Sequence, residues 1–162
     1  MENEILLAKN LFDYCRTIAK HLLETVDYPW EALPKISEFI IELGKTLDPE
    51  IYEQRGENVW VAKSAKVFDS AYLGGPLIIC EDAEFRQCAF IRGNAFVGRG
   101  AVVGNSTELK NSILFDGVQT PHYNYIGDSI LGYKSHTGAG VITSNLKSDK
   151  SLVTVLCDGD KV

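Results

Sequence analysis

From Val61 to Leu109 a large apolar residue recurs at every sixth position: Val61, Val67, Leu73, Ile79, Phe85, Ile91, Val97, Val103 and Leu109. Four residues after most of them stands a small one, Ala65, Ala71, Ala83, Ala89, Ala95, Ala101 and Thr107, with Leu77 the bulky exception. A chain that turns a corner every six residues closes one triangular coil in eighteen. Equivalent positions on successive coils then stack about 4.8 Å apart, the strand spacing of a parallel sheet. The large side chain fills the interior of the prism and the small one lets the corner turn. The pattern predicts an all-β fold, a parallel solenoid of about five coils in which each coil buries its column against its neighbours.

A different period precedes it. Ile5, Leu6, Ala8, Leu11, Phe12, Cys15, Ile18, Ala19, Leu22 and Leu23 fall at spacings of three and four, which predicts an amphipathic helix of about five turns. Tyr28-Pro29-Trp30 breaks it. A second helix is predicted over Lys35 to Leu47, with Ile36, Phe39, Ile40 and Leu43 inward and Pro34 suited to its first turn. Two such helices need a surface, either the base of the solenoid or a neighbouring subunit, and their expected role is capping and oligomer packing. The expected organisation is an N-terminal α-helical arm over 1–56 and a β-helix domain over 57–162.

Composition narrows the setting. At 162 residues and 45% hydrophobic content the chain can bury a core. It has no apolar run near the roughly 20 residues that span a bilayer, so no membrane partner is expected. Met1-Glu2-Asn3-Glu4 lacks the basic start of a signal peptide, and a cytoplasmic location follows as the expectation. Cys15, Cys80, Cys88 and Cys157 form no C-x-x-C pair and suit free thiols. Without secretion, the glycosylation-like string Asn105-Ser106-Thr107 carries no meaning. Residues 1–57 hold 6 basic and 12 acidic side chains and the rest hold 10 and 10, so the net charge of −6 lies wholly in the arm. No basic stripe is available for phosphates, which argues against nucleic acid.

After Leu109 the six-residue count falters. Phe115 and Pro121 continue it, but the next apolar positions are Ile126 and Leu131, followed by Thr137, so one residue is dropped. Such violations of a consistent pattern mark functional or strained sites. The slip falls within Pro121-His122-Tyr123-Asn124-Tyr125-Ile126-Gly127-Asp128, which holds one of three histidines between two tyrosines. Arg92 and Lys110 each follow a core position by one and are eighteen apart. On a regular solenoid they stack, and two cations about 5 Å apart repel unless an anion lies between them. The arrangement fits a phosphate clamp; it equally fits two solvated cations relieved by Glu108 or Asp128.

Three strings together carry a resemblance over about residues 57 to 150: Gly104-Asn105-Ser106-Thr107-Glu108-Leu109-Lys110-Asn111-Ser112, then Pro121 to Asp128, then Thr137-Gly138-Ala139-Gly140-Val141-Ile142-Thr143-Ser144-Asn145. They resemble the C-terminal acetyltransferase domain of the bifunctional N-acetylglucosamine-1-phosphate uridyltransferase/glucosamine-1-phosphate acetyltransferase family, and its short nucleotidyltransferase-like relatives.

The resemblance implies a left-handed coil, a handedness that periodicity alone does not show, and an acetyl-CoA-dependent acetyl transfer to an amino-sugar phosphate. It places the catalytic base at His122 and the carboxylate that holds it at Glu108. It places sugar-phosphate ligands at Arg92 and Lys110, and hydroxyl and amide contacts to the sugar at Tyr125 and Asn145. It further implies a homotrimer with sites between subunits and a role in UDP-N-acetylglucosamine biosynthesis. His136 stands where the family carries an asparagine, and Ser151 where it carries a lysine, so the sugar is expected to differ. Neither the Gly-rich phosphate loop of that family's nucleotidyltransferase domain nor the room for it is found in these 162 residues, so uridyl transfer is not expected of them. The family also continues for several coils after the Asn145 loop, and those coils build much of the acetyl-CoA site, so the β-helix is expected to be short at its C-terminal end. Leu152, Val153, Val155 and Leu156 would then form a closing strand.

Two other readings stay open. One is a non-catalytic sugar-phosphate-binding or oligomerisation module on the same scaffold. The other, a zinc enzyme on a similar solenoid, needs three histidines; only His122 and His136 lie in the coils and His21 is in the arm, so no metal is expected. Gly98, Gly100 and Gly104 read as coil corners rather than a phosphate loop. Trp60 and Tyr72 read as outer-face packing, and Tyr123 as an interface residue.

Overall fold

The computed structural model describes residues 4–143, 147–151, 153–157 and 160–161. In chain order the strands are β1 (Tyr52–Gly56), β2 (Val59–Ala62), β3 (Lys66–Val67), β4 (Tyr72–Leu73), β5 (Leu77–Ile79), β6 (Glu84–Phe85), β7 (Phe90–Val97), β8 (Val102–Asn105), β9 (Glu108–Leu114), β10 (Gln119–His122), β11 (Tyr125–Leu131) and β12 (Ile142–Thr143). They wind into a left-handed parallel β-helix of about five coils with three faces. Face I stacks β3, β6, β8 and β10. Face II stacks β4, the first halves of β7, β9 and β11, and β12; face III stacks β2, β5 and the second halves of the same long strands. Strand β1 folds back on β2 antiparallel and covers the edge of face III.

The corners are turned by residues in the left-handed region. Asp82, Gly100, Gly117 and Lys134 form one such column, Cys88, Ser106, Tyr123 and Gly140 a second, and Asn94, Asn111 and Asp128 a third, all with φ between 46° and 74°. Asn, Asp and Gly tolerate this conformation best, which explains their frequency there. The alanines expected to turn the corners do a different job. Ala83, Ala89, Ala95 and Ala101 are buried just inside, where a larger side chain would hold the coil open. Of the three glycines read as corners, Gly100 has a positive φ; Gly104 lies so close under Pro121 that any Cβ would strike its carbonyl.

The register shows where the residue is dropped. Ile91 pairs with Leu109 at a separation of eighteen, but Gly93 pairs with Lys110 at seventeen, leaving Arg92 in a bulge. From there the coils are seventeen residues long: Leu114 stacks on Val97, Thr120 on Val103 and Ile126 on Leu109. The inward positions are therefore Leu114 and Thr120 rather than Phe115 and Pro121, and the slip sits a coil earlier than the apolar count places it. Phe115 is still fully buried because its ring packs on Phe12 of the arm, 5.3 Å between centroids. That second burial environment is what disguises the slip in the sequence.

Residues on either side of the inward column of face III explain the arm. Trp60, Ile78, Phe96, Ile113 and Ile130 are register neighbours pointing outward, and the first four are buried. Each large side chain gains roughly 1.5–3 kcal/mol by leaving water, so this column needs a cover. The arm, with α1 (Ala8–Leu11), α2 (Lys20–Leu23) and α3 (Ile36–Gly44), supplies it in the same chain: α2 and α3 join the solenoid in one core through Leu22, Leu23, Ile36 and Ile40, and Phe12, just after α1, packs against that core. The arm thus docks on a face of the solenoid, not on its base. Gly44 lies flat against the indole of Trp60, where a Cβ would overlap the ring.

The long first helix expected from the spacing is instead four short pieces, with 3-10 turns at Glu4–Leu6 and Tyr14–Arg16 flanking α1 before α2. The cause is local. The Asp13 carboxylate accepts the Cys15 N–H at 3.0 Å and the Thr17 hydroxyl accepts the Ala19 N–H at 3.0 Å, bonds that compete with helix continuation. Pro29–Lys35 is a 3-10 turn leading into α3, with Pro34 inside it. Of the expected closing strand, Val153 and Val155 lie in no strand and Leu152 lies outside the described residues; Leu156 is in a two-residue strand, Leu156–Cys157, that pairs antiparallel with Asp160–Lys161.

Candidate functional site

Of the predicted residues, the described ones, Arg92, Glu108, Lys110, His122 and Tyr125, lie along face II and its two corners. The outward column of face II runs Tyr72, Phe90, Glu108, Tyr125, Ile142 in register. Glu108 accepts a bond from the bulged Arg92 at 3.2 Å. Lys110, the next outward residue of β9, pairs with Asp128 at 2.8 Å, and Asn111 donates to the other oxygen of that carboxylate, also at 2.8 Å. Each cation therefore has its own carboxylate, and Arg92 and Lys110 are not stacked: the seventeen-residue coil puts Gly93 opposite Lys110. Tyr125 lays its ring over Gly127, where a side chain would strike its hydroxyl.

His122 ends β10 at the corner between faces I and II, exposed and in register with Asn105. It is held through its backbone. Its N–H donates to Asn124 Oδ1 at 3.2 Å and its carbonyl accepts from Gly140 N–H at 3.1 Å. Among the described residues no side chain hydrogen-bonds the imidazole. His136 lies on face I beyond Gln119. Asn145 lies outside the described residues. Sequence reasoning did not single out Asn111 or Asn124. The second had a signal: it stands in the column Ala71, Ala89, Thr107, Asn124, where a buried amide replaces a methyl group.

A separate polar cluster lies at the corner between faces III and I. The Tyr52 hydroxyl donates to Glu81 at 2.6 Å, Arg99 pairs with the same carboxylate at 3.3 Å, and Asp116 accepts the Arg99 N–H at 2.9 Å. Burial pushes Glu81 upward, but the Tyr52 hydroxyl and Arg99 outweigh it and hold the carboxyl below its usual range. Burial raises Asp116, and it pushes the Cys80 thiol up to about 12. This cluster ties β1 to the coils.

Among the described residues no group of three or more His, Cys, Asp and Glu could hold a metal ion, and no helix is long and apolar enough to cross a membrane.

Fold and site together define a hexapeptide-repeat β-helix protein with candidate polar groups along face II and its two corners. The family model for the GMPPB C-terminal domain matches residues 73–162, and the chain belongs to that family. Its relatives include the bifunctional protein GlmU of Methanococcus maripaludis strain C5, 32% identical over 139 residues that cover 85% of this chain and 34% of that protein. The bifunctional protein GlmU of Methanococcus vannielii is 42% identical over 74 residues, covering 46% of this chain and 18% of that protein. The chain spans about a third or less of the length of these curated relatives. Among solved structures it is similar to the acetyltransferase domain of PglB from Neisseria gonorrhoeae, at a TM-score of 0.50 and 18% identity over 52% of this chain and 42% of that one, a likeness of fold.

Proposed function

We propose that this chain acts in an acetyl-CoA-dependent N-acetyltransfer to an amino-sugar phosphate of the glucosamine-1-phosphate type, with His122 as general base. The observation that carries the reading is the similarity to GlmU along most of the chain, combined with the presence of Arg92, Glu108, Lys110, Tyr125 and His122 on neighbouring coils around one face.

An ammonium has no lone pair, so the acceptor must lose a proton before it can attack, and an imidazole titrates in the right range. In this reading His122 takes a proton from the sugar amine as the nitrogen attacks the thioester carbonyl, the C–N bond forms, the C–S bond breaks, and the imidazolium returns that proton to the sulfur, so that CoA leaves as its thiol. The phosphate of the sugar competes with Glu108 for Arg92 and with Asp128 for Lys110. Glu108, released, turns to support the imidazole. Tyr125 and Asn145 contact the sugar. The arm over 1–56 covers face III of the 57–162 domain, leaving the other faces for homotrimer contacts that complete the site. A cytoplasmic place in UDP-N-acetylglucosamine biosynthesis accompanies this reading.

One observation favours a second reading, a sugar-phosphate-binding module without catalysis: Glu108 is engaged by Arg92, and His122 has no side-chain partner among the described residues. A thiol-release assay with acetyl-CoA and glucosamine-1-phosphate separates the two. Acetyl transfer is supported by CoA release that depends on both substrates. Retained sugar-phosphate binding with no thiol release at high protein concentration supports the binding module instead.

A further inference from the structure

Asn124 is 2% exposed and sits on the inner side of the corner that carries His122. Every coil places a residue here: Ala71 and Ala89, then Thr107, then Asn124, whose carbonyl accepts the Glu108 N–H as the Thr107 carbonyl accepts that of Phe90. Alanine suffices where the corner carries no chemistry. At the coil of His122 the position holds a primary amide, and all of its polar atoms are used. Oδ1 accepts the His122 N–H at 3.2 Å, bracketing Tyr123 in its left-handed conformation; Nδ2 donates to Gly138 O at 2.8 Å and reaches Val141 O at 3.5 Å. The Asn124 N–H in turn reaches the Thr107 hydroxyl at 3.4 Å, which donates to Thr120 O at 3.0 Å.

Gly140 N–H closes the loop on the His122 carbonyl. The backbone of His122 is therefore tied on both sides to the corner 138–141 of the next coil, once directly and once through Asn124. An exposed imidazole that no side chain among the described residues holds takes its position there from its backbone. Displacement of a reacting group by about 1 Å costs on the order of a hundredfold in rate.

We infer that Asn124 is a positioning residue: it sets the location of His122 and couples it to the 138–141 corner. The role as a base that it serves rests on the function proposed above, whereas the coupling itself does not. The test joins kinetics with residue-resolved amide exchange on the full chain, for Asn124→Ala and Asn124→Ser. The serine keeps an acceptor for the His122 N–H and loses the donor to Gly138. In N124A, exchange at His122 and Gly140 should accelerate at least about tenfold. Its kcat should fall roughly 10- to 100-fold while KM for the sugar phosphate stays within about twofold. N124S should restore protection at His122 and most of kcat. Unchanged exchange at both amides in N124A, or unchanged exchange at Gly140 in N124S if N124A does not fold, overturns the coupling. Accelerated exchange with unchanged kcat overturns the positioning role. A wild-type chain without thiol release, in which N124A still accelerates exchange, upholds the coupling and sinks the acetyltransferase reading alone.

Discussion

Lys110 stands in register with Gly93, while Arg92, eighteen residues before it, is displaced into the bulge beside it. The two cations consequently lead different lives. Arg92 reaches over an open surface to Glu108, its side chain 56% exposed, whereas Lys110 meets an Asp128 carboxylate only 16% exposed and shared with Asn111.

Removing the two charges should therefore have unequal effects on stability. Arg92→Ala is expected to change the unfolding free energy by no more than about 0.5 kcal/mol, as for other exposed pairs. Lys110→Ala withdraws the charge from a mostly buried carboxylate and should cost about 1–2 kcal/mol. Urea midpoints of the two variants give the comparison, and equal shifts would mean that the pairs are equally solvated.

Gly44 closes α3 against the Trp60 ring, and substitution there should reverse the usual helix rule. Alanine in place of glycine normally favours a helix by about 1 kcal/mol. Here the added methyl overlaps the indole, so either the helix or the ring must shift. Gly44→Ala should destabilise by about 1–3 kcal/mol, read as a lower thermal midpoint with weaker near-ultraviolet dichroism from Trp60. A higher midpoint would show that α3 does not rest on that ring.

Much of this architecture is legible in the chain, and the failures are instructive. Val61 through Leu109 fill the interior as the six-residue period predicts, because a parallel coil offers one inward position per turn. The cover on face III is also written in the triplets Leu77-Ile78-Ile79 and Ala95-Phe96-Val97, whose middle residues face out and are fully buried. Continuous apolar runs mark strands buried on both sides. The shortening at Lys110 is hidden because Phe115 finds a second apolar environment against Phe12. The breaks in the arm escape a periodicity count because Asp13 and Thr17 act through hydrogen bonds, not hydrophobicity. Which carboxylate each cation chooses depends on the bulge at Arg92, which no spacing reveals.

High pH should unfold the protein through the corner that joins β1 to the coils. The Cys80 thiol, near 9.0 when unperturbed, is pushed up to about 12 by burial, and burial also raises Tyr52. Between those values the unfolded chain has lost the thiol proton and the folded chain retains it. Stability is thus complete below 9.0 and declines as the pH climbs toward about 12. Urea midpoints between about pH 8 and 10.5 should fall, and Cys80→Ala should flatten the slope. A slope unchanged by that substitution would place the titrating group elsewhere.

The most direct measurement of the proposed chemistry is the rate of CoA release from acetyl-CoA with glucosamine-1-phosphate, compared between the wild-type chain and His122→Ala. With His122 as the general base, kcat should fall roughly 10²- to 10⁴-fold, with sugar-phosphate affinity preserved. A variant that releases CoA as fast as the wild type would contradict that role.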